Sequence, residues 1–293
     1  MAHATYQRDI IMLTFVWLME RSSCWHEEYI DFIFKNVPHQ HVTDYAQAEC
    51  YDNCYVIVGT QHGVRLDPTA YLKRMRENGK RFGILHLCDE WYRDDLSYYQ
   101  YADIVLRHHY LDMGPKVITL PAGWNKGYPY TMTPKPVVDR QYTWSFSGHI
   151  DKSTRGEMVQ NMNSVPNGKS FFKICGEPGP AAGGYALSTV MMAELFNDSI
   201  FVPCPQGNYS IDTCRLCEAL QVGAIPIVER NEYWTNLFGA DHPLIQIDSW
   251  NEVPALIENL LKDKDALEVK RQQTYNWWTN HLKSLQEKVV GLL

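Results

Sequence analysis

The sequence predicts an α/β protein with two facing Rossmann-like domains and a helical tail. Apolar runs alternate with helix-compatible stretches in both halves of the chain, and a proline-rich segment separates the halves. The chain has 293 residues, and a domain usually contains about 150, so there is room for two. Because strands that are buried on both faces give continuous apolar runs, we expect parallel sheets built from βαβ units.

The first half alternates predicted strands with polar stretches that are compatible with helices. The apolar run at residues 10–19 is shorter than the roughly 20 apolar residues that a membrane span needs. It is therefore predicted to be a buried first strand rather than a signal segment, with no membrane span. The predicted strands lie at residues 10–16, 54–58, 82–87, 104–106 and 117–120. The helix-compatible stretches lie at residues 27–35, 68–78 and 94–101.

Residues 128–139 are the predicted interdomain linker, because they contain three prolines within eight residues. Proline fixes φ and disfavours helix in the residue before it. We therefore predict an N-terminal domain over residues 1–133, a second domain over 134–270 and a C-terminal helix over 271–293.

The second half repeats the alternating pattern. Its predicted strands lie at residues 142–146, 171–175, 199–203 and 224–228, and its predicted helices at 153–162, 189–196 and 212–222. Gly223 is suited to the position after the last of these helices. The tail, residues 253–293, has an apolar stripe at helical spacing. This stripe predicts a helix that either crosses back to the first domain or packs on its own domain.

Charge and cysteine usage exclude several classes of function. A formal net charge of -7 disfavours a nucleic-acid partner, which selects for a basic surface. Close cysteine pairs occur only at Cys50/Cys54 and Cys214/Cys217, which is not a zinc-site pattern, so we expect reduced, buried thiols. The acidic pair in residues 263–265 belongs to the helical tail and follows no strand, so it is interpreted as a solvated charge run. We predict no metal.

Residues 199–228 are the most informative part of the sequence, because a strand ends there in a Pro/Gly loop that opens onto a helix. Free backbone N–H groups and the helix dipole make such a place an anion site, and Ser210 or Asp212 is suited to cap the helix. Arg215 in the first turn opposes the helix dipole, which an anionic ligand would explain. Glu218 lies on the same face and could accept from ribose hydroxyls. The alternative is an Arg215–Glu218 ion pair on a solvated surface.

The segment Arg-Leu-Cys-Glu-Ala-Leu-Gln-Val-Gly-Ala-Ile-Pro-Ile-Val at residues 215–228 resembles the donor-binding signature of exostosin-type glycosyltransferases. This resemblance implies a GT-B fold, an inverting and metal-independent mechanism, a UDP-sugar donor as substrate with no other cofactor, and a glycan acceptor. The compact chain also resembles the xylosyltransferases encoded by chlorella viruses, which suggests xylose and a location in the host cytoplasm. Asn208 lies in an N-x-S sequon within the donor loop, where a glycan would block the site, so a cytoplasmic location is expected.

The remaining donor-site candidates follow the strands of the second domain or flank the signature helix. Ser147, Gly148 and Arg155 are expected at the phosphates, with an ordinary exposed helix residue as the alternative for Arg155, and Pro203 and Gln206 are expected at the nucleobase. Loop or turn structure is an alternative explanation for each of the last two. The predicted donor set is completed by Cys175, Gly176 and Thr213.

The general base is expected in the first domain, after a strand, because an inverting transfer must remove the acceptor proton. Asp89 and Glu90 follow one predicted strand beside aromatic residues, and His62 follows another. The segment Arg107-His108-His109 also follows a strand. Asp89 could instead cap a helix. Two other functions remain open: a sugar-nucleotide epimerase of the same fold, and a glycan- or nucleotide-binding module without catalysis.

Overall fold

The computed structural model describes residues 12–44, 51–59, 67–173 and 187–292, which form two parallel sheets flanked by helices. The first sheet contains β1 (Leu13–Trp17), β2 (His39–Val42), β3 (Cys54–Gly59), β4 (Phe82–Leu87), β5 (Ile104–His108) and β6 (Val117–Leu120). Its strands are ordered β2-β1-β3-β4-β5-β6, and every pair is parallel.

The second sheet has the same winding. It contains β7 (Tyr142–His149), β8 (Gly168–Lys173), β9 (Ser199–Pro203), β10 (Ile225–Glu229) and β11 (Ile245–Ile247), ordered β11-β10-β9-β7-β8. In each sheet the second strand pairs on one side of the first strand, and the third strand pairs on its other side. The strand order therefore reverses at β1 in the first sheet and at β7 in the second. Ligands of open α/β sheets bind beyond the carboxyl ends of the strands at such a reversal.

Helices cover both sheets. The first half contributes α1 (Glu27–Ile33) and α2 (Pro68–Glu77). The second half contributes α3 (Arg155–Met162), α4 (Thr189–Asn197), α5 (Cys214–Gln221), α6 (Glu232–Phe238), α7 (Val253–Leu260) and α8 (Lys264–Val289). No helix in the described ranges is long and apolar enough to cross a membrane.

Helix α8 packs on both halves of the chain. Gln286 donates from Nε2 to the carbonyl oxygen of Phe32 at 3.0 Å, and Trp278 donates from Nε1 to Gln221 Oε1 at 3.0 Å. The acidic residues before it also have a local role, since Asp263 caps α8 by accepting from the backbone N–H of Ala266 at 2.9 Å. One hydrophobic cluster runs from the inner face of the first sheet through α5 to α8.

Most predicted elements are present, and the differences have local causes. Strands β2 and β11 were not predicted, because they are short edge strands that are only partly buried. The helix α6 was also missed. The stretch 94–101 forms only a 3₁₀ helix, at Ser97–Tyr101. Gly223 takes φ +65° just after α5, as predicted. The exact domain bounds stay a prediction.

Candidate functional site

A cleft of about 490 Å³ lies between the carboxyl ends of the two sheets. The first half lines it with Trp25, His26, Cys88, Glu90, Trp91, His109, Ala122 and Asn125. The second half lines it with His149, Lys152, Arg155, Met192, Asn208, Asp212, Thr213, Cys214, Arg215 and Glu218. Many of the predicted site residues therefore meet in one place.

Arg215 is held at the second-domain wall of the cleft by its backbone position on α5 and by its neighbours. Its guanidinium carbon lies 4.4 Å from the ring centre of Phe146, and its Nη2 donates to the carbonyl oxygen of Ser147 at 2.8 Å. The side chain is only 7% exposed. Its Nε and Nη1 have no hydrogen-bond partner among the described residues. A buried guanidinium with two unused donors is costly unless a ligand satisfies them.

Arg215, Arg155 and Gly148 form a basic corner of the cleft, which we call the basic corner. Arg155 donates from Nε to the carbonyl oxygen of Gln206 at 3.0 Å and from Nη1 to that of His149 at 3.2 Å. A Cβ atom at Gly148 would lie 2.7 Å from Arg215 Nη2 and 3.9 Å from Arg155 Nη1. Because Gly148 also has φ +146°, glycine is required both by the backbone and by the approach of the two guanidinium groups. The two cations therefore lie close together in a protein of net charge -7.

Glu218 is buried at the other end of the same helix face. Its Oε1 accepts from the backbone N–H of Asn125 at 3.2 Å and from Asn125 Nδ2 at 2.9 Å. Burial raises the pKa of the Glu218 carboxyl above its ordinary value. Within the described chain no ion pair joins Glu218 to Arg215, so the alternative of a solvated surface pair is wrong.

The residues before α5 have roles different from helix capping. The N-cap position is Thr213, and no side chain caps the helix there, so the prediction that Ser210 or Asp212 caps it is wrong. The reason is that Asp212 Oδ2 accepts from the backbone N–H of Ala122 at 3.0 Å and from the Tyr233 hydroxyl at 3.1 Å. Burial raises the pKa of Asp212 to about 7, and its Oδ1 has no partner among the described residues.

Ser210 and Thr213 differ in their exposure to the cleft. Ser210 is buried in the loop before α5, where its Oγ accepts from the backbone N–H of Asp212 at 3.2 Å. Thr213 lines the cleft, and no described residue bonds its buried Oγ1. The helix therefore begins at the cleft with an uncapped end.

Glu90 spans the cleft from the first sheet to the donor loop. It follows β4, and its Oε1 and Oε2 accept from the backbone N–H and the Nδ2 of Asn208, at 2.6 and 2.9 Å. Its carbonyl oxygen also accepts from the backbone N–H of Ser210 at 3.2 Å. Glu90 is partly exposed and lines the cleft, so its carboxylate can be reached by a ligand that opens this contact.

Asp89 points to a different environment although it is the neighbour of Glu90. Its Oδ2 accepts from Arg107 Nη2 at 3.1 Å, and both residues are buried. Its Oδ1 accepts from the backbone N–H groups of Arg93 and Asp94, at 3.0 and 3.4 Å. Asp89 is not among the residues that line the cleft, and both of its oxygens are in use.

The other predicted residues lie behind the cleft or outside the described residues. Ser147 is fully buried, and its carbonyl oxygen accepts the hydrogen bond from Arg215. Pro203 is buried at the end of β9. Gln206 stabilises the loop in which it lies, because its Nε2 donates to the carbonyl oxygen of Tyr209 at 2.6 Å. The predicted site residues that lie outside the described residues are His62, Cys175 and Gly176.

Of the two histidines that the first half contributes to the cleft wall, His109 belongs to the candidate segment 107–109 that follows a strand, and His26 was not predicted to lie at the site. Burial lowers the pKa of His26 to about 4 and that of His109 to about 3, so both imidazoles are neutral at pH 7. His109 directly follows β5, and ligands of open α/β sheets bind beyond the carboxyl ends of the strands. Its backbone has φ +61°. His26 precedes α1 and carries no such signal in the sequence.

Comparison with solved structures relates the fold to known glycosyltransferases. The DNA-modifying enzyme beta-glucosyltransferase, in a study with and without uridine diphosphoglucose, matches with TM-score 0.55 at 10% identity, over 94% of this chain and 97% of that chain. T4 phage BGT in complex with UDP and Mn²⁺ matches with TM-score 0.51 at 10% identity, over 96% and 99%. S. aureus TarM, in complex with fondaparinux, alpha-GlcNAc-glycerol and UDP, matches with TM-score 0.50 at 13% identity, over 85% and 57%.

These similarities confirm the predicted fold of two facing α/β domains of the GT-B type with a helical C-terminal segment. At such low identity they relate folds and do not transfer an activity. The closer resemblance to exostosin-type and chlorella-virus enzymes stays a prediction.

Comparison with families is more direct. A search of curated proteins finds no match. The family model of the RXYLT1 C-terminal domain matches residues 127–293. That range is more than half of the chain and includes the basic corner, α5 and α8, so the chain belongs to the RXYLT1 C-terminal domain family.

Proposed function

We propose that this chain is an inverting glycosyltransferase that moves a sugar from a UDP-sugar to a hydroxyl of a glycan, with no metal required at the diphosphate. The observation on which this rests is Arg215. It is a buried cation at the start of a helix, it faces a cleft, and two of its nitrogens have no partner in the described chain. An anionic ligand satisfies all of these features at once.

The diphosphate is assigned to the corner made by Arg155, Arg215 and the free end of α5. Lys152 lines the same wall. Fixed positive groups at the leaving phosphate stabilise the charge that develops there during transfer, which is the part that a metal ion plays in other sites. The solved BGT complex contains Mn²⁺, and donor binding in EDTA tests whether this chain needs a metal.

The nucleoside is assigned to Glu218. Its carboxylate faces the cleft three residues after Arg215, and ribose hydroxyls can replace the two bonds that Asn125 now donates. Uridine is proposed because UDP or uridine diphosphoglucose accompanies each of the three solved structures named above. Xylose is proposed as the sugar because the compact chain resembles the xylosyltransferases encoded by chlorella viruses.

The base is assigned to Glu90. It follows a strand of the first sheet, and it is the predicted acidic residue whose side chain reaches the cleft. A carboxylate on the face opposite the leaving group is what an inverting displacement requires. Asp212 is the second candidate, since it lines the cleft with one unpaired oxygen. Trp25 and Trp91 are partly exposed beside Glu90 and offer faces for an acceptor sugar.

A cytoplasmic location is part of the proposal, and it is supported by the sequon at Asn208 and by a second N-x-S sequon at Asn197. Asn197 is buried, with its Nδ2 donating to the carbonyl oxygen of Thr133 at 3.0 Å. Asn208 Nδ2 donates to Glu90. A glycan on either nitrogen would break these contacts.

The first experiment is saturation-transfer NMR of the purified full chain with a panel of UDP- and GDP-sugars in EDTA, followed over time for donor hydrolysis. Binding and slow hydrolysis of one UDP-sugar in EDTA supports the proposal and names the donor. Conversion of the sugar to an isomer would instead indicate an epimerase. Binding with no turnover under any acceptor would indicate a binding module. If no nucleotide sugar binds, the proposal is wrong.

A further inference from the structure

A cluster of metal-ligating side chains lies in the first-sheet wall of the cleft. It consists of His26, Cys88 and His108, and their nearest ligand atoms all lie within 4.8 Å of one another. His26 precedes α1, Cys88 directly follows β4, and His108 ends β5. The carboxyl edge of the sheet thus brings together three residues that are far apart in sequence. We call them the His–Cys–His cluster.

The two histidines of this cluster are buried with unused nitrogens. His26 is 5% exposed and His108 is 1% exposed. His26 Nδ1 and both ring nitrogens of His108 have no hydrogen-bond partner among the described residues. A neutral imidazole has one donor and one acceptor, and burial without partners for them costs free energy. Packing against the rings of His26 and Tyr29 accounts for an aromatic ring at position 108, but it does not account for the two ring nitrogens of a histidine.

Two other clusters of the described chain provide a contrast. In the cluster of Asp31, His39 and His41, the His41 ring accepts from Trp17 at 2.9 Å and lies 3.0 Å from Asp31. In the cluster of His86, Asp89 and Asp94, both ring nitrogens of His86 have partners, Tyr99 at 2.6 Å and Asp94 at 2.8 Å. Those histidines are explained by hydrogen bonds, whereas His108 is not.

The backbone at Cys88 is also unusual. Cys88 has φ +72°, a conformation that residues with a Cβ rarely adopt and that is concentrated at functional sites. Cys88 and His26 both line the cleft. A small ion can therefore reach the cluster from the cleft, and a position on that side stays open for water or a ligand.

The chemistry of the ligand set selects the ion. Two imidazoles and a thiolate suit Zn²⁺, whereas Mn²⁺ and Mg²⁺ prefer oxygen. Ligand atoms around one zinc ion are roughly 3.3–3.8 Å apart when the bonds are about 2.0–2.3 Å. The ligand atoms of the cluster lie within 4.8 Å of one another, so they need to approach by at most about 1 Å to reach this geometry.

We propose that His26, Cys88 and His108 bind one Zn²⁺ ion, with a fourth position open to the cleft. This site differs in place and chemistry from the basic corner, which holds the diphosphate in the proposed function. The two proposals are independent, because one concerns metal retention and the other concerns donor binding and turnover.

The test uses the full chain after removal of metals with a chelator. The protein is mixed with Zn²⁺, passed through a desalting column, and its metal content is measured by mass spectrometry. We expect one zinc ion per chain in the wild type and in the control His41→Ala, and loss of the ion in Cys88→Ser and His108→Ala. Mn²⁺ in place of Zn²⁺ is expected to be removed by the column.

Co²⁺ provides a second measurement on the unmodified protein. The wild-type Co²⁺ complex should show a thiolate-to-cobalt charge-transfer band that disappears in Cys88→Ser. Circular dichroism checks the folding of each variant, and if the variants do not fold, the wild-type zinc content and cobalt band decide the question. A folded wild type that retains no zinc, a cobalt complex without the thiolate band, or full retention by Cys88→Ser and His108→Ala would each overturn the proposal.

Discussion

Replacement of Arg215 by methionine separates a ligand-binding role from a structural one. Methionine keeps much of the apolar contact with Phe146 and removes the charge. In the free protein the change removes a buried cation with two unpaired nitrogens, but it also removes the bond to Ser147 and the cation–π contact. These effects oppose each other, so the free energy of unfolding should change by less than about 2 kcal/mol.

The effect on the donor should be larger. If Arg215 Nε and Nη1 each donate to a phosphate oxygen, and each charged bond is worth about 1.5 kcal/mol, the variant loses about 3 kcal/mol of binding free energy. This corresponds to a roughly hundredfold increase in the Kd for UDP.

The assay is isothermal titration of UDP into the wild type, Arg215→Met and the matched control Arg230→Met. Arg230 forms an exposed pair with Asp248, and such a pair contributes about 0–1 kcal/mol, so the control should bind UDP like the wild type. Urea denaturation of the same samples gives the stability. Wild-type affinity for UDP in Arg215→Met, or a large loss of stability with no specific loss of binding, would refute this explanation of the cleft.

Three further substitutions test the acidic residues. Glu90→Gln should lower kcat by at least about a hundredfold with little change in donor affinity, because it removes the proposed base; transfer kinetics measure this, and unchanged kcat would reject the base. Asp89→Asn should lower the free energy of unfolding by about 3–5 kcal/mol in urea, because it leaves Arg107 buried without its charge partner; wild-type stability would contradict this. Asp212 has a pKa near 7 when folded and 3.8 as its ordinary value, so its stabilisation is complete below about pH 4 and is lost as the pH rises through 7. The free energy of unfolding of the wild type should therefore fall by about 3 kcal/mol between pH 5 and pH 8, whereas that of Asp212→Asn should not show this fall. Parallel pH profiles of the two proteins in urea would exclude the raised pKa of Asp212.

The local pattern of the sequence was sufficient for the alternation of strands and helices. Continuous apolar runs marked β3, β4 and β9 within a residue of their observed bounds, because these strands are buried along their whole length and such strands need apolar side chains. The partly buried edge strand β6 was also marked by an apolar run. The partly buried edge strands β2 and β11 were not predicted from the sequence, because such strands do not need a continuous apolar run.

The choice between Asp89 and Glu90 depended on the tertiary structure. The two residues are adjacent and chemically alike, so composition and spacing treat them equally. Successive side chains after a strand point in different directions, so the two carboxylates have different partners. Arg107 on β5 donates a hydrogen bond to Asp89, whereas Asn208 from the second half of the chain donates one to Glu90.

The sequence by itself determined the two-sheet architecture and the helix start that carries Arg215, because both are encoded by residues that are close in the chain. Only the tertiary structure decided that Asp212 bonds Ala122 instead of capping α5, and that His26, Cys88 and His108 meet. These contacts join residues that are tens of positions apart or more. The winding of a parallel sheet, which places the ends of distant strands along one edge, brings the cluster together. The bond between Ala122 and Asp212 joins the two halves of the chain, and no spacing within a single segment records either contact.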